Sequence, residues 1–270
     1  MNTRYIDTHC HLQFEQYAHD REDIIEQMRE QGIAGIVVGT DLESSKTAVV
    51  LAESHEHLFA SIGLHPNREN DEWYKASVYR SLAQSHKVVA IGECGLDYFR
   101  LEAADEERKK KQKLLFNDHI LLAAELDKPL IVHARSSNST KDAYQDMITI
   151  LKEAKSKYPN LRGDIHFFAG SVNEAETFIA LDFTISFTAV ITFAREYDEA
   201  IRAVPLASIL AETDAPYVAP TSRRWKRNDP LAVKEVVAKI ADIRSEDPET
   251  VRATLLTNAR RLFALPVLSC

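Results

Sequence analysis

Eight times over, the chain follows a short apolar run, mostly rich in β-branched residues, with a longer amphipathic or polar stretch, and few architectures accommodate that rhythm. The runs are YIDTHCH (5–11), IAGIVVGT (33–40), LFASIGLHP (58–66), VVAIGECGL (88–96), PLIVHAR (129–135), DIHFFAG (164–170), FTISFTA (183–189) and ASILAETDAP (207–216). Helix signals punctuate the intervals. The pattern over 20–32 closes on Gly32, and the long pattern over 105–129 stops at Pro129. Asp229-Pro230 and Asp247-Pro248 each read as an N-cap followed by a first-turn proline, opening helices over 229–244 and 247–263. No Pro/Gly/Ser-rich linker interrupts the alternation, which predicts a parallel sheet covered by helices. The simplest closure is a single α/β domain over residues 1–270, a (β/α)8 TIM-type barrel with an extra C-terminal helix. An open doubly wound sheet is the alternative, but it would show a Gly-rich phosphate turn after the first strand, and the chain holds only 8 glycines.

A barrel carries its chemistry at the C-terminal ends of its strands. His9 and His11 end the first run, His65 the third, Glu93 and Asp97 the fourth, His133 and Arg135 the fifth, His166 the sixth, and Glu212 and Asp214 the eighth. The other five histidines, His19, His55, His57, His86 and His119, fall in helices or their flanks and read as surface or packing residues. Alternation along the first run places Asp7, His9 and His11 on one side. Two divalent ions can share such a rim if Glu93 bridges them, since a carboxylate offers two oxygens. His9, His11, Glu93 and Asp214 would hold one, and Glu93, His133 and His166 the other. Mixed nitrogen and oxygen donors suit Zn or Mn, and Mg less well. Two such ions and two carboxylates leave the pocket at roughly +2, which favours an anion. Water acidified by the ions can then attack phosphorus, with Asp214 accepting its proton, and no serine or cysteine nucleophile is needed.

The formal charge of −8 argues against a protein that coats nucleic acid nonspecifically, while a local phosphate site stays open. Cys10 and Cys94 face outward by alternation and Cys270 ends the chain, so no disulfide framework or cysteine metal motif is present. That suits a reducing compartment: cytoplasmic, or nuclear in a eukaryote. Four residues precede the first run, leaving no room for a signal peptide, and no apolar run approaches a membrane span. No membrane association and no obligate protein partner are expected. The NST at 138–140 reads as a chance sequon.

Several rim residues carry two readings each. Arg223, Arg224 and Lys226, with Arg227, surround Trp225 just after the eighth run, as either a substrate groove or a solvated loop. Arg135 either grips a phosphate or pairs with a rim carboxylate such as Asp97 or Glu212. His65, without a partner for a third metal, is read as a substrate contact. Asp7 and Glu212 lie below the ligands, where they would orient imidazoles through their free N–H groups. Tyr98, Phe99 and Phe168 stack a base or pack a loop. ERKKKQK (107–113) reads as an exposed helix face.

In order and spacing, DTHCH, GECGLDY, IVHAR, HFFAG and ETDAPYVAP resemble the TatD family of metal-dependent deoxyribonucleases within the amidohydrolase superfamily, over essentially the whole chain. The resemblance implies a TIM-like barrel and two metal ions (Mg, Mn or Zn) on His9, His11, Glu93, His133, His166 and Asp214. It implies hydrolysis of phosphodiester bonds in DNA, as a 3′-to-5′ exonuclease on single-stranded or frayed ends. Three positions depart from the family pattern. Asn67 stands where a second His follows the Pro of GLHP, Ala169 replaces a serine, and Trp225 replaces a small residue. The competing readings are the same metals acting on another phosphoester, a lactone or an amide, or an inactive barrel scaffold. The scaffold reading predicts broken ligands, and all six are present.

Overall fold

The computed structural model describes residues 2–68, 74–99, 101 and 105–266; Cys270 lies outside them. Its centre is one eight-stranded parallel sheet in which every strand pairs with the next in sequence: β1 (Tyr5–Cys10), β2 (Ile33–Val38), β3 (Leu58–Ile62), β4 (Val88–Asp97), β5 (Leu130–Arg135), β6 (Gly163–His166), β7 (Phe183–Phe187) and β8 (Ile209–Ala211). A helix follows each strand: α1 (Arg21–Glu30), α2 (Leu42–Ser54), α3 (Ala76–Leu82), α4 (Glu106–Leu126), α5 (Asp142–Lys157), α6 (Val172–Ala180), α7 (Asp198–Ala203) and α8 (Val233–Arg244). The extra C-terminal helix is α9 (Pro248–Phe263). Parallel strands need such crossovers, so the alternation in the sequence becomes a nearly closed barrel.

Closure runs through the ends of β1 and β8. The Asp214 amide donates to the His9 carbonyl at 2.9 Å, the His11 amide to the Ala215 carbonyl at 2.8 Å, and Cys10 and Ala215 form a parallel bridge. The seam therefore passes through three of the expected metal ligands.

Helix limits follow their caps. Asp41 and the Ser44 side chain form a capping box on α2, the Asp247 carboxylate accepts the Thr250 amide on α9, and Gly32 adopts φ 69° after α1. The Asp229 carboxylate caps a short 3-10 turn, Pro230–Ala232, and α8 begins only at Val233.

Two apolar clusters share the interior. The larger lies between the strands' outer faces and the surrounding helices, and it takes in Cys10 and Cys94, both fully buried. The smaller joins inward-facing Ile6, Ile36, Val38, Phe59, Val89, Ile131 and Leu210 to Leu262 and Phe263 of α9. Asn258 of α9 donates to the carbonyls of Leu206 and Ile209 at the start of β8, at 2.8 and 2.9 Å. The extra helix thus stops the barrel at the N-terminal ends of its strands, opposite the histidines.

Several strands end short of their apolar runs, and at three of them this bears on the site. β3 stops at Ile62, so His65 sits in the segment beyond it, and His11 follows the last residue of β1. β8 stops at Ala211, and Asp214 turns the chain with φ 52°, which no extended strand allows. In β1 the register shifts between Asp7 and Cys10, so alternation does not carry through the strand. Ile6, not Asp7, joins the interior cluster.

Gly95 marks where β4 and β5 come closest. Its φ is 132°, and a Cβ there would stand 2.2 Å from the His133 carbonyl oxygen. Gly95→Ala is expected to destabilise the protein by about 1–3 kcal/mol, read as a lower urea midpoint at unchanged slope. An unchanged midpoint would contradict this close approach.

Candidate metal centre

The six expected ligands converge on one point. Oε2 of Glu93 lies 3.5 Å from His9 Nε2 and 3.9 Å from His11 Nε2, while Oδ1 of Asp214 lies 3.8 and 3.4 Å from the same two nitrogens. Oε1 of Glu93 faces the other way, 3.0 Å from His133 Nδ1 and 3.5 Å from His166 Nε2. Two ligands on one ion, with bonds of about 2.0–2.1 Å, stand about 3.3 Å apart, close to this spacing. His9 and His11 bring their Nε2 atoms to 3.2 Å, an approach that a shared cation makes favourable. The donor set therefore fits divalent metal, and Glu93 offers one oxygen to each half.

What fixes the rings is equally informative. His11 Nδ1 donates to the Val38 carbonyl at 2.8 Å, and His166 Nδ1 faces Glu212 Oε1 at 3.1 Å. His133 Nε2 faces Asp97 Oδ2 at 3.2 Å. Each ring ties its outer nitrogen to an oxygen and turns the inner one to the centre, as metal-ligating histidines do. His9 stacks on His166 with centroids 3.7 Å apart, and its Nδ1 faces Glu212 Oε2 at 3.9 Å. Glu212 thus bonds the His166 ring and leaves its second oxygen facing His9 Nδ1, and neither of these two atoms has a hydrogen-bond partner among the described residues. Asp7 acts differently from the expectation: its carboxylate accepts the His9 amide, the Thr213 amide and the Thr213 hydroxyl, at 3.2, 2.9 and 2.6 Å. The bulge in β1 turns it into the seam, where it holds ligand-bearing backbone instead of a ring.

Asp97 has a larger part than its sequence position suggested. It accepts His133 and the Asn67 side-chain amide (2.8 Å) on Oδ2 and the Phe99 amide (3.0 Å) on Oδ1, while Gln112 of α4 clamps its backbone from both sides. The signal was present: 93, 95 and 97 share one face of β4. His119 was likewise passed over as packing. Buried in α4, it donates to the Leu115 carbonyl and accepts the Leu64 amide at 3.0 Å, steadying the segment that carries His65. His65 in turn accepts the Asn67 amide on Nδ1 at 3.1 Å, and burial lowers its pKa to about 4. It is neutral at pH 7, so its one ring proton is on Nε2, 3.5 Å from Glu93 Oε1. His65, Asp97 and His133 do form a third ligand-like group, which the sequence did not foretell, but that proton makes His65 Nε2 a donor.

The basic rim is divided. Arg223 is tied to Asp229 and Arg227 to Asp20, which removes both from the groove expected of them. Arg224 lies over the Phe193 ring, and Lys226 is exposed with no carboxylate partner among the described residues. Arg135 pairs with neither Asp97 nor Glu212; its guanidinium covers the Phe99 ring at 3.8 Å. Tyr98 donates to Asp146 and Phe168 packs against Tyr144 and Phe187, so both are core. Among the described residues of the 107–113 segment, Lys109 and Lys113 pair with Asp142 and Asp146.

Protonation follows from this crowding. Burial opposes charge throughout, yet the surrounding imidazoles hold Glu93 well below the usual carboxylate range, and His133 with Asn67 and His65 holds Asp97 at about 2. Burial also pulls both histidines down, but Asp97 and Glu93 outweigh it at His133, raised to about 9, and Glu212 and Glu93 do so at His166, raised to about 10. Both rings are charged in the metal-free protein at neutral pH. Since these values exceed the ordinary 6.5, the stability they confer is full below pH 6.5 and lost as pH rises through about 9 to 10. Loading with Zn or Mn at pH 7.5 is expected to release about two protons per chain, measured by calorimetry in buffers of different ionisation heat. Binding without proton release would contradict the arrangement.

Residues 6–264 match the model of the TatD related DNase family. An uncharacterized metal-dependent hydrolase of Bacillus subtilis, YabD, is 36% identical over 268 residues, covering 96% of this chain and 98% of that protein. The protein of Erwinia amylovora named 3′-5′ ssDNA/RNA exonuclease TatD is 35% identical over 262 residues, covering 93% and 96%. The crystal structure of YjjV, a TatD homologue from Escherichia coli K12, superposes with a TM-score of 0.87 at 30% identity, over 98% of this chain and 100% of that one. With six ligands of the expected types gathered on one barrel rim, the chain belongs to the TatD family of metal-dependent hydrolases.

Proposed function

We propose that this chain is an exodeoxyribonuclease that hydrolyses phosphodiester bonds from the 3′ end of single-stranded or frayed DNA, using two divalent ions, Zn, Mn or Mg. One observation carries the reading: the two oxygens of Glu93 are divided between two ligand groups, His9, His11 and Asp214 on one side and His133 and His166 on the other. The name of the Erwinia relative supports the substrate class and the direction of attack.

Two ions held there would supply an acidified water and charge stabilisation for an in-line displacement at phosphorus. The chain's own residues do the rest. Asp214, ionised and 14% exposed at its side chain, reaches the mouth of the site and takes the proton of the attacking water. His65 Nε2–H, beside Glu93, donates to an oxygen of the scissile phosphate. Arg135, stacked on Phe99 at the rim, grips a neighbouring phosphate. Arg224 and Lys226 add positive charge along the strand, and Arg223 holds the loop through Asp229. Glu212 and Asp97 keep the imidazoles aimed.

An end-labelled single-stranded oligonucleotide, given to metal-stripped protein resupplied with Mg, Mn or Zn, is expected to yield a ladder shortening from its 3′ end. Glu93→Gln should lower the rate at least about 100-fold, within the range of losing a group that orders transition-state charge. Cleavage independent of metal, or equal in the variant, would overturn the reading.

A further inference from the structure

The loop from Asp214 to Asp229 begins at a metal ligand and returns to it, since Asn228 donates to the Thr213 carbonyl at 3.1 Å and its amide to the Pro216 carbonyl at 3.1 Å. Between those points it is fastened on every side. Thr221 bonds Thr192 after β7, Ser222 bonds Glu235 of α8, Arg223 pairs with Asp229, and Arg227 bonds Asp20 and the Gln16 carbonyl. The large apolar side chain of Trp225 stays outside these ties. Trp225 is 89% exposed, the largest exposure of any bulky apolar residue described, and its backbone sits at φ 70°, costly for a non-glycine residue. A loop so fully tied, holding an indole in water at the expense of backbone strain, calls for a ligand.

The packing behind the indole says which. The Arg224 guanidinium lies over two rings, 3.7 Å from the Phe193 centroid and 4.7 Å from that of Trp225. Phe193 and Trp225 thus share one guanidinium, which sets a positive charge against the exposed indole. Lys226 follows without a carboxylate partner among the described residues. A flat aromatic surface backed by cationic charge at the edge of an anion site suits an unpaired nucleobase and its phosphate. Bases inside a duplex have both faces covered by their neighbours.

We propose that Trp225, braced by Arg224 on Phe193, is a stacking platform for one unpaired base of the strand whose terminal phosphodiester lies at the metal centre. The platform rests on the nuclease reading above for its substrate, and it gives this chain a preference for single-stranded ends.

Two measurements test it on the metal-loaded protein. In a Trp73→Phe background Trp225 is the sole indole, and a phosphorothioate oligothymidylate that resists hydrolysis is expected to quench its fluorescence. On cleavable oligonucleotides carrying one abasic residue at successive positions, the unsubstituted protein should show a rise of about tenfold in KM at one position, the size of one lost base stack. Trp225→Ala should raise KM similarly on the intact strand and show no further rise at that position, and Trp225→Phe should restore most of the loss. Quenching with no cleavage of any oligonucleotide would sink the nuclease reading and leave the platform standing. Cleavage with a flat abasic scan in both proteins and no quenching would overturn the platform and leave the nuclease. If neither appears, both fall.

Discussion

The centre depends on one carboxylate inside a cage of imidazoles. Glu93 is buried, and burial alone would neutralise it; His65, His133 and His9 keep it ionised, with one oxygen facing His9 and His11 and the other His133, His166 and His65. Around it stands a second ring of oxygens: Glu212 on His166 and facing His9, Asp97 on His133, and the Val38 carbonyl on His11. Removing one of these leaves a ring free to rotate or to take the wrong tautomer, so the outer oxygens matter to the site nearly as much as the ligands.

The barrel separates this polar work from the part that stabilises it. At one end Leu262 and Phe263 of α9 join the interior apolar cluster that includes Ile36, Val38 and Ile131. At the other end the strands deliver charge, and the backbone bends to do so: Phe167 follows His166 at φ 48°, and Asp214 itself sits at φ 52°. Such conformations persist only where neighbours hold them. The Phe167 amide is bonded to Glu212 at 2.7 Å, and Asp214 follows Thr213, whose amide and hydroxyl are both bound by Asp7. Beneath His166 the interior stays polar, with Asp164 taking hydroxyls from Thr184 and Ser186 and raised by burial to about 7.

Most of the fold was legible because the periodicity of the apolar runs is local and the parallel, right-handed connection leaves little choice of topology. The C-terminal helix was readable from Asp247-Pro248, but that it seals the barrel floor was not, since this depends on contacts with strands far from it in sequence. The convergence of the candidate ligands was legible once the strands were: a barrel gathers its strand ends on one rim, and imidazoles crowded there with carboxylates form a donor set for a cation. Asp7 escaped the alternation argument because a bulge in β1 shifts the register, an event that leaves no mark in YIDTHCH. Asp97, His119 and Asn67 were underweighted because their roles pass through a partner in another element. The basic cluster at 223–227 showed the limit most clearly: charge was readable, but the pairing of Arg223 with nearby Asp229 and of Arg227 with Asp20, far back in the chain, was not.

The bridging role proposed for Glu93 is tested most directly by counting and coupling the ions. Protein stripped of metal and titrated with Mn is expected to bind two equivalents per chain and to give the electron paramagnetic resonance signal of an exchange-coupled pair. Glu93→Ala, still folded by circular dichroism, should lose the coupled signal and at least one equivalent. A single equivalent in the unsubstituted protein, or a coupled pair that survives the loss of Glu93, would contradict the account.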